Sequence, residues 1–212
     1  MNNIQCVTYE NKNKIMVATS LKCGSTSMIM NLGYPLLGYF HRRKDRVQMF
    51  EWGYWKEYSF SDLNESILNE YPIRIAIVRN PIDRLFSAYK DRVVLRNKGG
   101  LKDHLETFSK FIHNIDYARK NPDIKIHTES QCNQIGYDPS IYTKVICSED
   151  INDVLTPIIS DTSGCPDIPA FLEKTTARKT KEKPVYDDKE KDINLIQKMY
   201  KDDYDVWGEY FC

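Results

Sequence analysis

The apolar run Ile15-Met16-Val17-Ala18-Thr19, followed almost at once by Lys22-Cys23-Gly24-Ser25-Thr26-Ser27, constrains this chain more than any other stretch. The run reads as a buried strand, and the small hydroxylated residues behind it read as a turn opening a helix over Ser25 to Leu32. A strand that enters such a turn gathers free backbone N–H groups, hydroxyls and a lysine ammonium around one point, which suits an anion. The wiring is not that of a Walker A loop: the GxxxxGK[ST] spacing is absent, and the lysine precedes the glycine.

Further strands are predicted at Ile73 to Val78 (Ile-Arg-Ile-Ala-Ile-Val) and Lys144 to Cys147, with a weaker signal at Arg46 to Phe50. Helices are predicted over Ser61 to Glu70, behind a Ser/Asp cap, and over Pro81 to Leu95, where Asn80 caps and proline takes the first position. Others cover His104 to Arg119, Ile151 to Ile159 and Lys189 to Tyr204. Strand and helix alternate throughout, which predicts an α/β fold: a P-loop-like three-layer αβα arrangement around a central, mostly parallel sheet. Ligands of such sheets bind beyond the carboxyl ends of the strands. A length of 212 residues suits one domain over 1–212.

Thirty basic and thirty acidic side chains cancel, which removes the usual argument for a nucleic-acid partner held by backbone neutralisation. Six cysteines, without CxxC pairs or a clustered histidine, give a zinc site little support, and free thiols are the expected state. Met1 to Gln5 show neither a basic nor an apolar leader region, and no segment approaches the length of a membrane span. The expectation is a soluble, cytoplasmic protein without membrane insertion. The stretch from Thr175 to Lys191 reads as a solvated loop before the last helix.

A second anion site follows the strand at Ile73. Arg79 ends that strand, so its guanidinium projects at the carboxyl edge of the sheet, where a planar fork can grip phosphate oxygens. Ser87 lies on the next helix, whose packing face includes Ile82, Leu85 and Phe86. Taken alone, these residue types equally allow Arg79 to pair with a carboxylate such as Asp83 while Ser87 fills a small space.

Together the two blocks, KxGSTS after one strand and RxPxxRxxSxY after another, resemble the donor-binding pair of the sulfotransferase superfamily, which uses 3′-phosphoadenosine-5′-phosphosulfate (PAPS). The resemblance implies that Lys22, Gly24, Ser25, Thr26 and Ser27 hold the 5′-phosphosulfate, and that Arg79 and Ser87 hold the 3′-phosphate. It extends toward the carbohydrate (Golgi-type) enzymes. His127-Thr128-Glu129-Ser130-Gln131, the strand and acidic helix start from Tyr142 to Asp153, and the ending Tyr200 to Gly208 are similar to blocks of that group. The region from Gly33 to Tyr58 matches no acceptor-site pattern. The implied reaction moves a sulfuryl group from PAPS to a hydroxyl or amine of an acceptor, a carbohydrate by this resemblance, and leaves the bisphosphate PAP; the family needs no metal for this step.

In-line displacement at sulfur builds charge on the departing oxygen, which makes Lys22 the candidate for its stabilisation. A hydroxyl acceptor needs a base, and Glu57, just before the Ser61 helix, is the candidate, with His41 and His127 as rivals. Phe50, Trp52, Tyr54, Trp55 and Tyr58 form a candidate stacking platform for a sugar ring, with Arg42, Arg43 and Arg46 to attract an anionic polymer. Two other functions fit the same loop physics: a kinase-like phosphotransferase, or a noncatalytic binder of adenosine phosphates. The missing GK[ST] ending, and the lack of a clear Walker B or DFG-type acid, count against the first.

Overall fold

The computed structural model describes residues 4–9, 11–24, 28, 32–33, 35, 53–165 and 183–212. Its centre is a five-stranded sheet of β1 (Ile4–Thr8), β2 (Lys14–Thr19), β3 (Trp55–Tyr58), β4 (Ile73–Val78) and β5 (Lys144–Cys147), in the order β3, β1, β2, β4, β5. Strands β2, β4 and β5 run parallel, as the alternation of strand and helix demands. β1 pairs antiparallel with β2, and β3 pairs antiparallel with β1 at the far edge. Neither shows in the sequence pattern. In β1 the polar Gln5 is buried, and its side-chain oxygen accepts a hydrogen bond of 2.8 Å from Trp55 Nε1, so no polar-out alternation marks the strand.

Period-two alternation divides the sheet into two buried faces. Ile15, Val17, Ile75 and Ile77 face one core, covered by Met28, Leu32, Ile151, Leu155 and Ile159. Met16, Ala18, Ala76 and Val78 face the other, covered by Cys132, Ile135, Tyr142 and Trp207. The result is the expected three-layer α/β arrangement, with its parallel strands running from the centre of the sheet to the β5 edge.

Helix α1 (Glu65–Glu70) is shorter than predicted, because Asn64 caps it and a separate turn at Phe60–Asp62 has its own Ser59–Asp62 capping box. Helix α2 (Pro81–Tyr89) starts at the predicted Asn80 cap and continues as a wider π-helical turn to Leu95. The predicted helix over His104 to Arg119 divides into α3 (Phe108–His113), capped by Thr107, and α4 (Ile115–Ala118). Two helices follow that the pattern does not mark, α5 (Pro122–Thr128) and α6 (Gln131–Ile135). Helix α7 (Thr156–Ser163) extends a π-helical turn at Ile151–Leu155. The last predicted helix breaks at Tyr200 into α8 (Lys189–Met199) and α9 (Lys201–Trp207). Met28 and Leu32 are helical and buried, whereas the strand expected at Arg46 to Phe50 lies outside the described residues.

The expectation of free thiols is corrected. The end of α9 brings Cys212 beside the end of β5, and Cys147 and Cys212 form a disulfide with a Cα–Cα distance of 6.0 Å. Cys6, Cys23, Cys132 and Cys165 remain thiols, and burial pushes those of Cys6 and Cys132 up to about 12. Among the described residues, no helix is long and apolar enough to cross a membrane.

Candidate functional site

The site begins where β2 ends. Two residues of the turn after Thr19 adopt left-handed backbone, Lys22 at φ 72° and Gly24 at φ 79°. For glycine this is free, but for lysine it costs about 1–2 kcal/mol, so the surrounding structure imposes it. A methyl group at Gly24 would also lie 2.4 Å from Ile151 Cδ1, so that the end of the Ile151 side chain would have to turn aside. Gly24→Ala is therefore expected to lose about 1–3 kcal/mol of stability in thermal unfolding, from backbone strain and overpacking together. A variant as stable as wild type would contradict the strain of the left-handed backbone at this position.

Arg79 follows β4 and reaches back to this turn. Its Nη1 donates to the carbonyl of Lys22 at 3.1 Å, and its Nε lies 3.2 Å from Glu149 Oε1, outside hydrogen-bonding geometry. The carboxylate beside Arg79 is thus Glu149 rather than the Asp83 that the sequence suggests. Ser87 is buried on α2, and one turn further along the same face Asp91 accepts a hydrogen bond of 2.8 Å from Lys22 Nζ. Lys22, Arg79 and the helix that carries Ser87 therefore meet at the carboxyl end of the parallel strands. Ser25, Thr26 and Ser27 lie outside the described residues.

Asp91 is not marked by the sequence motifs, although its spacing of four from Ser87 is a usable signal. Burial alone would raise its carboxyl group, but the Lys22 hydrogen bond and charge, with Arg92 and Arg96, hold it down at about 2. The lowered value means that the pair stabilises the fold at neutral pH and is lost only as the pH falls through the usual carboxylate range toward about 2.

A buried amide joins the two candidate anion loops. Gln131, fully buried at the start of α6, accepts from the backbone N–H of Arg79 and donates to its carbonyl, each at 2.9 Å. The same side-chain oxygen accepts from Ser20 Oγ and Cys23 Sγ at 3.3 Å, while Gln134 accepts from the Leu21 N–H at 3.0 Å. Burial pushes the Cys23 thiol up to about 11, so it serves as a small packed donor and not as a nucleophile.

Asp203 supports this helix from beneath. It is fully buried, accepts the N–H groups of Gln131 and Cys132 at 2.9 Å, and lies 3.9 Å from the buried guanidinium of Arg84. Arg84 also donates to the Glu129 carbonyl and stands over the Tyr200 ring. The blocks around His127, Gln131 and Tyr200 to Gly208 are thus the scaffold that shapes the two loops.

The base candidates are spread apart. Glu57 is partly buried on β3, level with Gln5, and β3 is two strands from β2, or about 10 Å across the sheet. His127 is buried, with Nδ1 2.6 Å from the Asp123 carbonyl and Nε2 against Arg92, so both ring nitrogens are engaged. Burial pulls its imidazole below the usual histidine range, which favours the neutral ring. His41 lies outside the described residues.

The aromatic platform is corrected where it can be seen. Trp55 is buried in the core on one face of β3 and Tyr58 packs on the opposite face, so they share no stacking surface. Phe50, Trp52, Arg42, Arg43 and Arg46 lie outside the described residues, as does the loop from Thr175 up to Glu182.

A family model described as the sulfotransferase family matches residues 6–210. No curated protein and no solved structure matches the chain.

Proposed function

The chain belongs to the sulfotransferase family, and on that premise we propose that it transfers a sulfuryl group from PAPS to a hydroxyl or amine of a carbohydrate acceptor. The observation that carries this reading is that the loops after two separate strands each bring a cation to one point: Arg79 Nη1 donates to the main-chain carbonyl of Lys22 at 3.1 Å. Their side chains are 19% and 21% exposed, so both are buried enough to be poorly screened and open enough to meet an anion.

Such a donor supplies the sulfuryl group and the phosphate that departs from it. In this reading Lys22, Gly24, Ser25, Thr26 and Ser27 cradle its 5′ end, and Arg79 with Ser87 holds its 3′-phosphate. Lys22 stabilises the charge that develops on the departing oxygen. Glu57 takes the proton of the acceptor hydroxyl, and no metal is required. Residues 1–212 act as one catalytic unit.

Calorimetry with adenosine 3′,5′-bisphosphate and with ATP, each with and without Mg²⁺, tests the donor. Metal-independent binding of the bisphosphate is expected, weakened about 10–100-fold by Arg79→Ala, the cost of a charged hydrogen bond. Preference for Mg·ATP would instead favour a phosphotransferase. Labelled donor offered to glycans, glycolipids and small alcohols then tests the acceptor; transfer only to non-carbohydrates would remove the carbohydrate, and bisphosphate binding without any transfer would leave a noncatalytic binder.

A further inference from the structure

We propose that Asp91 is an internal counter-anion that holds Lys22 in the free protein and yields it to the anionic donor, so that donor binding exchanges one anion for another. This rests on the sulfotransferase reading above and concerns the regulation of the same site.

The geometry is asymmetric in a way that makes the lysine the mobile partner. Asp91 stands on the π-helical continuation of α2, and Arg96 Nε holds its Oδ1 at 2.8 Å while Arg92 Nε lies 3.6 Å from its Oδ2. The carboxylate therefore keeps two cations when Lys22 leaves. Among the described residues, the ion pair of Lys22 is with Asp91 alone, at 2.8 Å and with side chains 19% and 22% exposed. A lysine carries its charge on a flexible four-carbon stem, so rotation of that stem is enough to move the ammonium from helix to loop. Arg92 in turn contacts Asp123 at 3.6 Å and the His127 ring, which keeps the residual cluster neutralised after the exchange.

The other cation of the site differs. Glu149 beside Arg79 is 42% exposed and outside hydrogen-bonding geometry, a pair that water and salt weaken. Competition with the ligand is therefore concentrated at Lys22. Two anions that compete for one partner are negatively coupled, and such couplings are typically about 5–150-fold.

Isothermal titration with adenosine 3′,5′-bisphosphate should be run on wild type, Asp91→Asn, Asp91→Glu, Lys22→Met and the Asp91→Asn/Lys22→Met double variant. Asp91→Asn is expected to bind about tenfold more tightly, Asp91→Glu to restore wild-type affinity, and the gain to vanish when Lys22 is absent. Unchanged or weaker binding by Asp91→Asn overturns the proposal, as does an equal gain in the Lys22→Met background, which would mark a general field effect. Wild type that fails to bind the bisphosphate removes the sulfotransferase reading and this proposal together, whereas wild-type binding without a change in Asp91→Asn removes this proposal alone.

Discussion

Lys22→Ala is expected to lower kcat by about 10²–10³-fold, the loss typical when one positioned charge or donor is taken from a transition state. The bisphosphate dissociation constant should move much less, because Arg79 and the loop backbone remain. The backbone of Lys22 supplies a second, independent readout. At φ 72° a side chain at this position is strained, so Lys22→Gly should be about 1 kcal/mol more stable than Lys22→Ala although both lose turnover. Steady-state kinetics and urea unfolding of the two variants decide the matter. Retained turnover would refute the role of the ammonium, and equal stabilities would refute the imposed conformation.

Asp203→Ala is expected to cost about 3–5 kcal/mol of folding stability, the usual result of breaking a buried ion pair and stranding its partner. The carboxylate is fully buried with Arg84 at 3.9 Å, and it caps the two N–H groups that start α6. Against a total of about 5–15 kcal/mol for a globular protein this is severe. Donor binding should fall with it, because Gln131 at the head of that helix holds both anion loops. Denaturant unfolding checks the first effect and bisphosphate titration of the still-folded fraction checks the second. A loss below about 1 kcal/mol would mean that Arg84 finds another partner.

The parts of the fold that the sequence displays share a cause. β2, β4 and β5 carry apolar residues on both faces, broken inside the strands only by Arg74, so their runs stand out. The Asn80 cap and Pro81 mark the start of α2 because both act within one turn of backbone. β1 and β3 stay hidden because their polar residues are satisfied across strands, as when Trp55 Nε1 donates to Gln5. The breaks at Asn114 and Tyr200 likewise answer to packing rather than to local propensity, since neither is a strong helix breaker.

The site divides in the same way. Lys22, Gly24 and Arg79 were legible because a strand, a turn and a helix are contiguous in sequence, and that contiguity also implies an anion as ligand. Asp91 was not, since its partner Lys22 lies 69 residues away and a carboxylate on a helix is ordinarily a solvated one. Nor was the disulfide between Cys147 and Cys212, which spans 65 residues. By itself, then, the sequence determined the class of fold and pointed to two strand-end loops as candidate anion sites. Only the tertiary structure decided that Gln131 joins those loops across 52 and 111 residues, and that Asp91 accepts the Lys22 ammonium. Local patterns report backbone geometry, whereas hydrogen bonds and charge pairs between distant segments exist only once the sheet has brought their ends together.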